Sequence, residues 1–346
     1  MLTIPSENPM MKTVVCQSPG ELQLVERPLP QAAAGEVLLR VRRIGLCGTD
    51  MHIFRGTQPF LQYPRVMGHE LSAEVVSAPE GSELAPGDQV YVMPYLSCGA
   101  CVACRQGKTN CCTNIQVLGV HRDGGMAEYL ALPERFVFKT DGISLDDAAM
   151  LEFLAIGAHA VRRGSVRPGL KVLVVGAGPI GIAAALFSRL KGGTVTVLDA
   201  RLDRLAFCRS ALGIAQTVQV DADDKARLAK LSDGEFFDVV FDATGNVKAM
   251  ERGLEFVAHG GTYVLVSIVP DRISFADPEF HKRETSLLGS RNATAEDFSA
   301  VLAAMKAGLV PTGLMNTHRT TLAGFVDVLP QWMDPAAGVI KAIVEV

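Results

Sequence analysis

The chain has 346 residues, 48% of them apolar, and a formal net charge of −4. Such a length accommodates two domains with sizeable buried cores. There is no basic block and no apolar run of membrane-spanning length, so nucleic acid, anionic membrane surfaces and a bilayer-crossing helix are excluded as main partners or anchors.

The opening "MLTIPSENPM" lacks the basic and apolar regions of a signal peptide and reads as a loose extension before a strand, "MKTVVC". A cytoplasmic protein is expected, and there clustered cysteines signal metal more often than disulfides. Up to about residue 140, short β-type runs are broken by Gly and Pro: "GEVLLRVRRIGLC", "ELSAEVVSAP", "GDQVYVMPY" and "MAEYLALP". They predict a β-rich domain, a folded-over barrel.

Within that domain, "CGTDMHIF" and "YPRVMGHE" supply Cys47, Thr49, Asp50, His52, His69 and Glu70. A loop cysteine with a His-Glu pair suits an open zinc site of mixed soft and hard ligands, although each piece alone is compatible with ordinary packing. Next comes "CGACVACRQGKTNCC", five of the chain's eight cysteines in one short stretch. Cys98, Cys101 and Cys104 follow C-x2-C-x2-C, and either Cys111 or Cys112 can be the fourth thiolate. A ferredoxin-type iron–sulfur cluster calls for a Cys-Pro that this chain lacks. Four cysteines suit a closed, tetrahedral structural zinc, with no position left for substrate. The lobe is expected over about residues 95–115.

A helix is expected over "SLDDAAMLEFLAIGAHAVRRG", ended by Gly164 and a Pro168-Gly169 turn. It carries Glu152 among apolar neighbours, where a carboxylate is costly to bury unless it is paired or bound to metal. The exposed face of an ordinary helix is the other reading of that residue. From Leu170, apolar runs alternate with helical segments: "LKVLVVG", "TVTVLD", "QTVQV", "FDVVFDATG", "GTYVLVSIV" and "TSLLGS". These six predict a doubly wound parallel sheet. In "VLVVGAGPIG", Gly176, Gly178 and Gly181 form G-x-G-x-x-G, with Pro179 and Ile180 opening the helix whose N-terminus suits a pyrophosphate. Asp199, at the end of "TVTVLD", is placed for the adenosine ribose hydroxyls. Arg201 and Arg204 raise the question of a 2′-phosphate. Asp199 facing that phosphate at about 4 Å costs on the order of 4 kcal/mol at an effective dielectric near 20, so NAD is favoured. After Asn292, a helix "AEDFSAVLAAMKAG" and short strands such as "IKAIVEV" are assigned back to the first domain.

Together these pieces resemble the zinc-dependent medium-chain dehydrogenases, the alcohol, sorbitol and threonine dehydrogenase superfamily, over essentially the whole chain. "CGTDMH", "GHE", the C-x2-C-x2-C-x7-C lobe, "DGGMAEY", "GAGPIG" and "DATG" carry the resemblance. It implies an α/β protein with a β-rich GroES-like catalytic domain over residues 1–155 and 295–346. A Rossmann NAD-binding domain, a doubly wound parallel sheet, takes residues 156–294. It implies structural zinc on Cys98, Cys101, Cys104 and Cys112, and catalytic zinc on Cys47 and His69 with Glu70 and Glu152 as exchangeable carboxylate ligands. Thr49 and His52 match proton-relay positions, and Asp50 matches the carboxylate that orients the zinc-bound histidine. Thr244, Ser267 and Arg204 join the glycine motif and Asp199 at the cofactor. Many relatives read Glu-Pro where this chain reads Glu152-Phe153, so a different helix geometry is expected there. A homodimer or homotetramer is the family expectation.

The implied reaction passes hydride from a secondary alcohol of a small polyhydroxy substrate to NAD, with the proton leaving through Thr49 and His52. The stretches "PYLSCGACVACRQGKTNCC", "LGVHRDGGMAEYL" and "DPEFHKRETSLLGSRNATAEDF" resemble a narrower bacterial group, sugar-acid dehydrogenases acting at C5 of L-galactonate or L-gulonate. A sugar acid also needs a cation distant from the zinc. Arg122 and Arg291 are the candidates, each as compatible with a solvated loop or a salt bridge. Polyol and L-threonine dehydrogenases are the neighbouring alternatives. An electron carrier and a non-catalytic NAD-binding regulator are the alternatives of other classes; the regulator has no need of Cys47, Thr49 and Glu152 together.

Overall fold

The structure, a computed structural model, describes residues 9–346, so most of the expected N-terminal extension lies outside the described residues. These residues divide into two compact units. One runs up to Glu152 and resumes at Leu302–Val346; the other is Phe153–Val301.

In the first unit, Met10–Ser18 pairs antiparallel with Glu21–Pro28 and with Arg65–Val66. A seven-stranded sheet is centred on Glu36–Gly45, flanked by Glu70–Ser77 and by the C-terminal strand Lys341–Glu345. Hydrogen bonds from Val14 N to Met126 O (2.8 Å) and from Glu128 N to Lys12 O (3.1 Å) tie the small sheet to the segment leading into Tyr129–Pro133, a strand of the large one. Gly45 sets the register at the centre of the large sheet, lying opposite Glu70 on one side and Ile343 on the other. Side chains two apart on a strand share a face, so Lys341, two residues before Ile343, is carried to the same region as Glu70. A Cβ on Gly45 would collide with Glu70 Oε2 and lie 2.8 Å from Ala149 O, so a side chain there is excluded. A two-stranded pair, Tyr95–Leu96 with Gln116–Val117, brackets the cysteine-rich stretch.

The single helix expected over residues 144–164 is two. Ser144 caps a short helix, Leu145–Ala148, and a second helix starts afresh at Leu151 and runs to Arg163. Ala148, Ala149, Met150 and Leu151 are all buried. Packing of this apolar run, not helix propensity, sets the path there. The restart places Glu152 in a first turn.

The second unit is a six-stranded parallel sheet. Its order is Gln216–Gln219, Thr194–Asp199, Lys171–Val175, Phe237–Asp242, Val257–Leu265 and Ser286–Gly289. The strands read as nearly unbroken apolar runs because helices cover both faces of such sheets. Leu173, Val175, Leu198, Val240 and Phe256 form part of the core. The order reverses between Lys171–Val175 and Phe237–Asp242, the switch point where open α/β sheets bind ligands. No helix among the described residues is long and apolar enough to cross a membrane.

Candidate active site

Cys47 caps the N-terminus of the helix Gly48–Arg55. Asp50, fully buried, accepts hydrogen bonds from Cys47 N (3.0 Å) and Gly68 N (3.1 Å). One carboxylate therefore ties together the two segments that carry Cys47 and His69. Asp50 Oδ1 also stands 4.0 Å from His69 Nδ1. Cys47 Sγ, a ring nitrogen of His69 and a carboxylate oxygen of Glu70 lie within 4.8 Å of one another. Glu70 is held from behind by Lys341, itself buried, whose Nζ also donates to Leu46 O (3.0 Å). Glu152 is buried too. Its Oε1 accepts the Tyr95 hydroxyl, and its Oε2 has no partner among the described residues.

The donor chemistry of this cluster suits a cation. Cys47, His69 and Glu70 turn one ligand atom each toward a common point, and Glu70 is already balanced by the Lys341 ammonium. Burial, set against the pull of His69 and Lys341, pushes the Glu152 carboxyl up to about 7. A buried carboxylate with an unpartnered oxygen is relieved by a bound divalent ion. Sulfur, imidazole nitrogen and carboxylate oxygen at these separations are a zinc donor set, with bonds of about 2.0–2.3 Å. Zinc fits.

Thr49 Oγ1 lies 3.7 Å from Cys47 Sγ. His52 shares its helix face at i, i+3 but turns Nδ1 to Thr57 Oγ1 (2.9 Å), and no hydrogen bond joins it to Thr49 among the described residues. Burial, then Arg55, pushes the His52 imidazole below its usual range, so it is neutral near pH 7.

In the lobe, the sulfurs of Cys98, Cys101, Cys104 and Cys112 lie within 4.8 Å of one another, and Cys111 is exposed outside this set. Cys101 Sγ and Cys104 Sγ are 3.5 Å apart, far beyond the roughly 2.05 Å of a disulfide. Backbone N–H groups of Cys104 and Thr113 bring the Cys101 thiol down to about 5, and Cys98 N donates to Cys112 Sγ (3.3 Å). Amide donors aimed at sulfur favour thiolates, the form that binds metal.

The glycine motif forms its own cradle. Gly176 has φ +96°, and a Cβ on Gly181 would fall on Gly176 O, so both are fixed by the turn and by helix–strand packing. A Cβ on Gly178 would meet nothing within 4 Å. The chain itself leaves that position open, at the N-cap of the helix Pro179–Leu190, as a pyrophosphate site requires. Asp199 accepts from Ala177 N (2.6 Å) and Arg201 N (2.7 Å), which fixes the acid beside this loop. Arg201 itself is paired with Asp203 (2.6 Å), and Arg204 is buried. Thr244 and Ser267 both gather at Asp242: Thr244 donates N and Oγ1 to its carboxylate (3.0 and 2.8 Å), and Ser267 N donates to its carbonyl (3.4 Å).

Comparison with known proteins decides the family. Residues 33–142 match the alcohol dehydrogenase GroES-like domain, and residues 179–307 match the zinc-binding dehydrogenase domain. The chain belongs to the zinc-binding alcohol dehydrogenases. It is 41% identical to L-galactonate-5-dehydrogenase of Escherichia coli K12 over 96% of this chain and 98% of that protein. A sorbitol dehydrogenase of Halalkalibacterium halodurans is 31% identical over 88% of this chain and 90% of its own length. Among solved structures, an alcohol dehydrogenase (rspB) from E. coli CFT073, complexed with NADH, superposes with a TM-score of 0.91 at 28% identity, over 97% of this chain and 99% of that one.

Two residues that bond candidate metal ligands, Tyr95 to Glu152 and Lys341 to Glu70, belong to no motif in the sequence. Lys341 left one signal, a lone charge before an apolar run in "IKAIVEV". The two arginines considered for substrate fall in different units. Arg122 is half-buried and lines a cavity of about 530 Å³ with Arg27, Arg65, His121 and Asp123. Asp123 is taken by Arg27 (2.9 Å) and Arg65 (3.2 Å). Arg291 is exposed in the second unit.

Proposed function

We propose that this dehydrogenase uses NAD and zinc to oxidise the C5 hydroxyl of a sugar acid, L-galactonate or L-gulonate. The observation that carries the reading is the donor set of Cys47, His69 and Glu70, whose ligand atoms lie within 4.8 Å of one another, together with the buried Glu152, one of whose oxygens has no partner among the described residues. The 41% identity to an L-galactonate-5-dehydrogenase over nearly the full length of both chains supports the substrate class.

When bound, zinc supplies a Lewis acid that makes an alcohol proton labile near neutral pH, and NAD supplies the hydride acceptor. Cys47, His69 and one or both carboxylates hold the metal, and Asp50 keeps the Cys47 and His69 segments in register. Thr49 Oγ1, beside Cys47, would relay the proton, accepting it from the substrate hydroxyl as its own passes on, and the neutral His52 imidazole would receive it once its ring turns from Thr57. Gly176, Gly178 and Gly181, with Pro179 and Ile180 at the helix start, seat the pyrophosphate, and Asp199 holds the adenosine ribose. Arg122 or Arg291 grips the carboxylate of the sugar acid. A cytoplasmic setting accords with cysteines gathered as candidate metal ligands.

The test is NAD reduction by zinc-replete enzyme with aldonates, uncharged polyols and L-threonine. Aldonates are expected to exceed the matching polyols in kcat/KM by at least roughly tenfold, since one charge-assisted hydrogen bond contributes about 1.5–3 kcal/mol. Replacing the gripping arginine with alanine removes most of that margin. Equal activity on sorbitol and L-galactonate, or better activity on threonine, overturns the sugar-acid assignment.

A further inference from the structure

Tyr95 belongs to neither set of candidate metal ligands, yet it joins them. Its backbone is held in the ladder opposite Val117, and Leu118 N donates to Pro94 O (3.1 Å). Cys98 comes three residues later, so this short strand leads straight into the cysteine lobe. The side chain points away from water: it is 3% exposed, and its hydroxyl donates to Glu152 Oε1. Packing alone accounts for a buried ring. It gives no reason for a hydroxyl aimed at one oxygen of a buried carboxylate.

We propose that Tyr95 is a positioning residue that fixes the rotation of the Glu152 carboxylate, leaving Oε2 as the oxygen presented to the catalytic metal. The proposal rests on the reading of Cys47, His69, Glu70 and Glu152 as that centre. Glu70 is positioned differently, by the Lys341 ammonium, so the two carboxylates have separate anchors. Glu152 forms no ion pair among the described residues, so no charge partner of that kind fixes the rotation of its carboxylate. A hydroxyl on Oε1 fixes it instead, as hydrogen bonds behind metal ligands do elsewhere, and losing such a partner typically costs about 10–100-fold in metal affinity.

The experiment compares wild type, Tyr95→Phe, Glu152→Ala and the double variant. Each is zinc-replete, with cobalt(II) then exchanged into the catalytic centre. Affinity of the centre is read by chelator competition, ligand geometry by the cobalt–thiolate absorption, and the fold by Tm. Tyr95→Phe keeps the ring and its packing, so a Tm close to wild type is expected. Metal affinity should fall at least tenfold with an altered cobalt spectrum, and the loss should vanish in the Glu152→Ala background. Affinity within twofold of wild type and an unchanged spectrum overturn the role of Tyr95. So does an equal loss in the Glu152→Ala background. If the wild type holds no metal that Cys47→Ser removes, the reading of the centre fails and this proposal with it.

Discussion

Asp199 accepts two backbone N–H groups, from Ala177 and Arg201, so its carboxylate is fixed before any cofactor arrives. A 2′-phosphate brought to it meets a charge that cannot turn away. Strong preference for NAD is therefore expected, and Asp199→Ala should reduce the ratio of kcat/KM for NAD over NADP at least tenfold, about 1.4 kcal/mol. Inversion is not expected, because Arg201 is drawn to Asp203 and Arg204 is buried. Comparable wild-type values for the two cofactors would refute this. At this scale, what could be read from the sequence was what depends on neighbours in the chain. Cys47, the His69-Glu70 pair and the glycine triplet are reactive or conformationally special residues at short, fixed spacing. Tyr95 and Lys341 act on Glu152 and Glu70 across 57 and 271 residues, and only the paired strands bring them there. An ammonium buried against a carboxylate cannot be told from a surface lysine until its strand is placed between two others.

The cysteine lobe and the helix pair of the second unit carry separate predictions at the scale of elements. Cys101→Ser removes a ligand from a closed site that holds the lobe together, so loss of one zinc equivalent and a lower Tm are expected. Cys47→Ser should abolish turnover with the fold intact. An unchanged Tm and zinc content in Cys101→Ser would contradict the structural role of the lobe. In the second unit, Asp297 on the helix Ala295–Lys306 accepts from His159 Nδ1 (2.8 Å) and Arg162 Nε (2.8 Å) on the helix Leu151–Arg163. Burial opposes ionisation, but these bonds and those from Thr294 hold the Asp297 carboxyl well below its usual range. An acid with a depressed native pKa contributes stability in full above its unfolded pKa, about 3.9, and loses it as pH falls toward the native value. Asp297→Asn should therefore cost about 2 kcal/mol or more at pH 7, and the Tm gap to wild type should narrow toward pH 3. A gap independent of pH would show that the carboxylate's charge is not what joins the two helices.

Some elements could be read because burial wrote their pattern, and others could not because it did not. The six nucleotide-unit strands stood out as apolar runs, since both sheet faces are covered. Glu21–Pro28 and Asn316–Thr321 did not, being polar strands whose residues are exposed or half-buried throughout. The same contrast bears on the whole molecule. Ser286–Gly289 is the last strand of the parallel sheet and pairs only with Val257–Leu265 among the described residues. It offers an open ladder, and Leu287 on it is 38% exposed, with Ile268, just past the end of the adjoining strand, 75% exposed. Arg163 donates to Gly289 O at one end of the strand (3.3 Å), and the rest of the edge, with its apolar side chains, is a template for pairing. A two-fold axis lets each copy present this same strand to the other, which closes the ladder without leaving an edge for a third. We therefore expect a dimer in solution, twice the chain's mass by light scattering after gel filtration, with pairs of dimers compatible with the same contact. Leu287→Lys places a charge in that ladder and should give a monomer that keeps both zinc equivalents. A wild-type protein that elutes as a monomer, or a Leu287→Lys variant that remains dimeric, would rule out this edge as the joint.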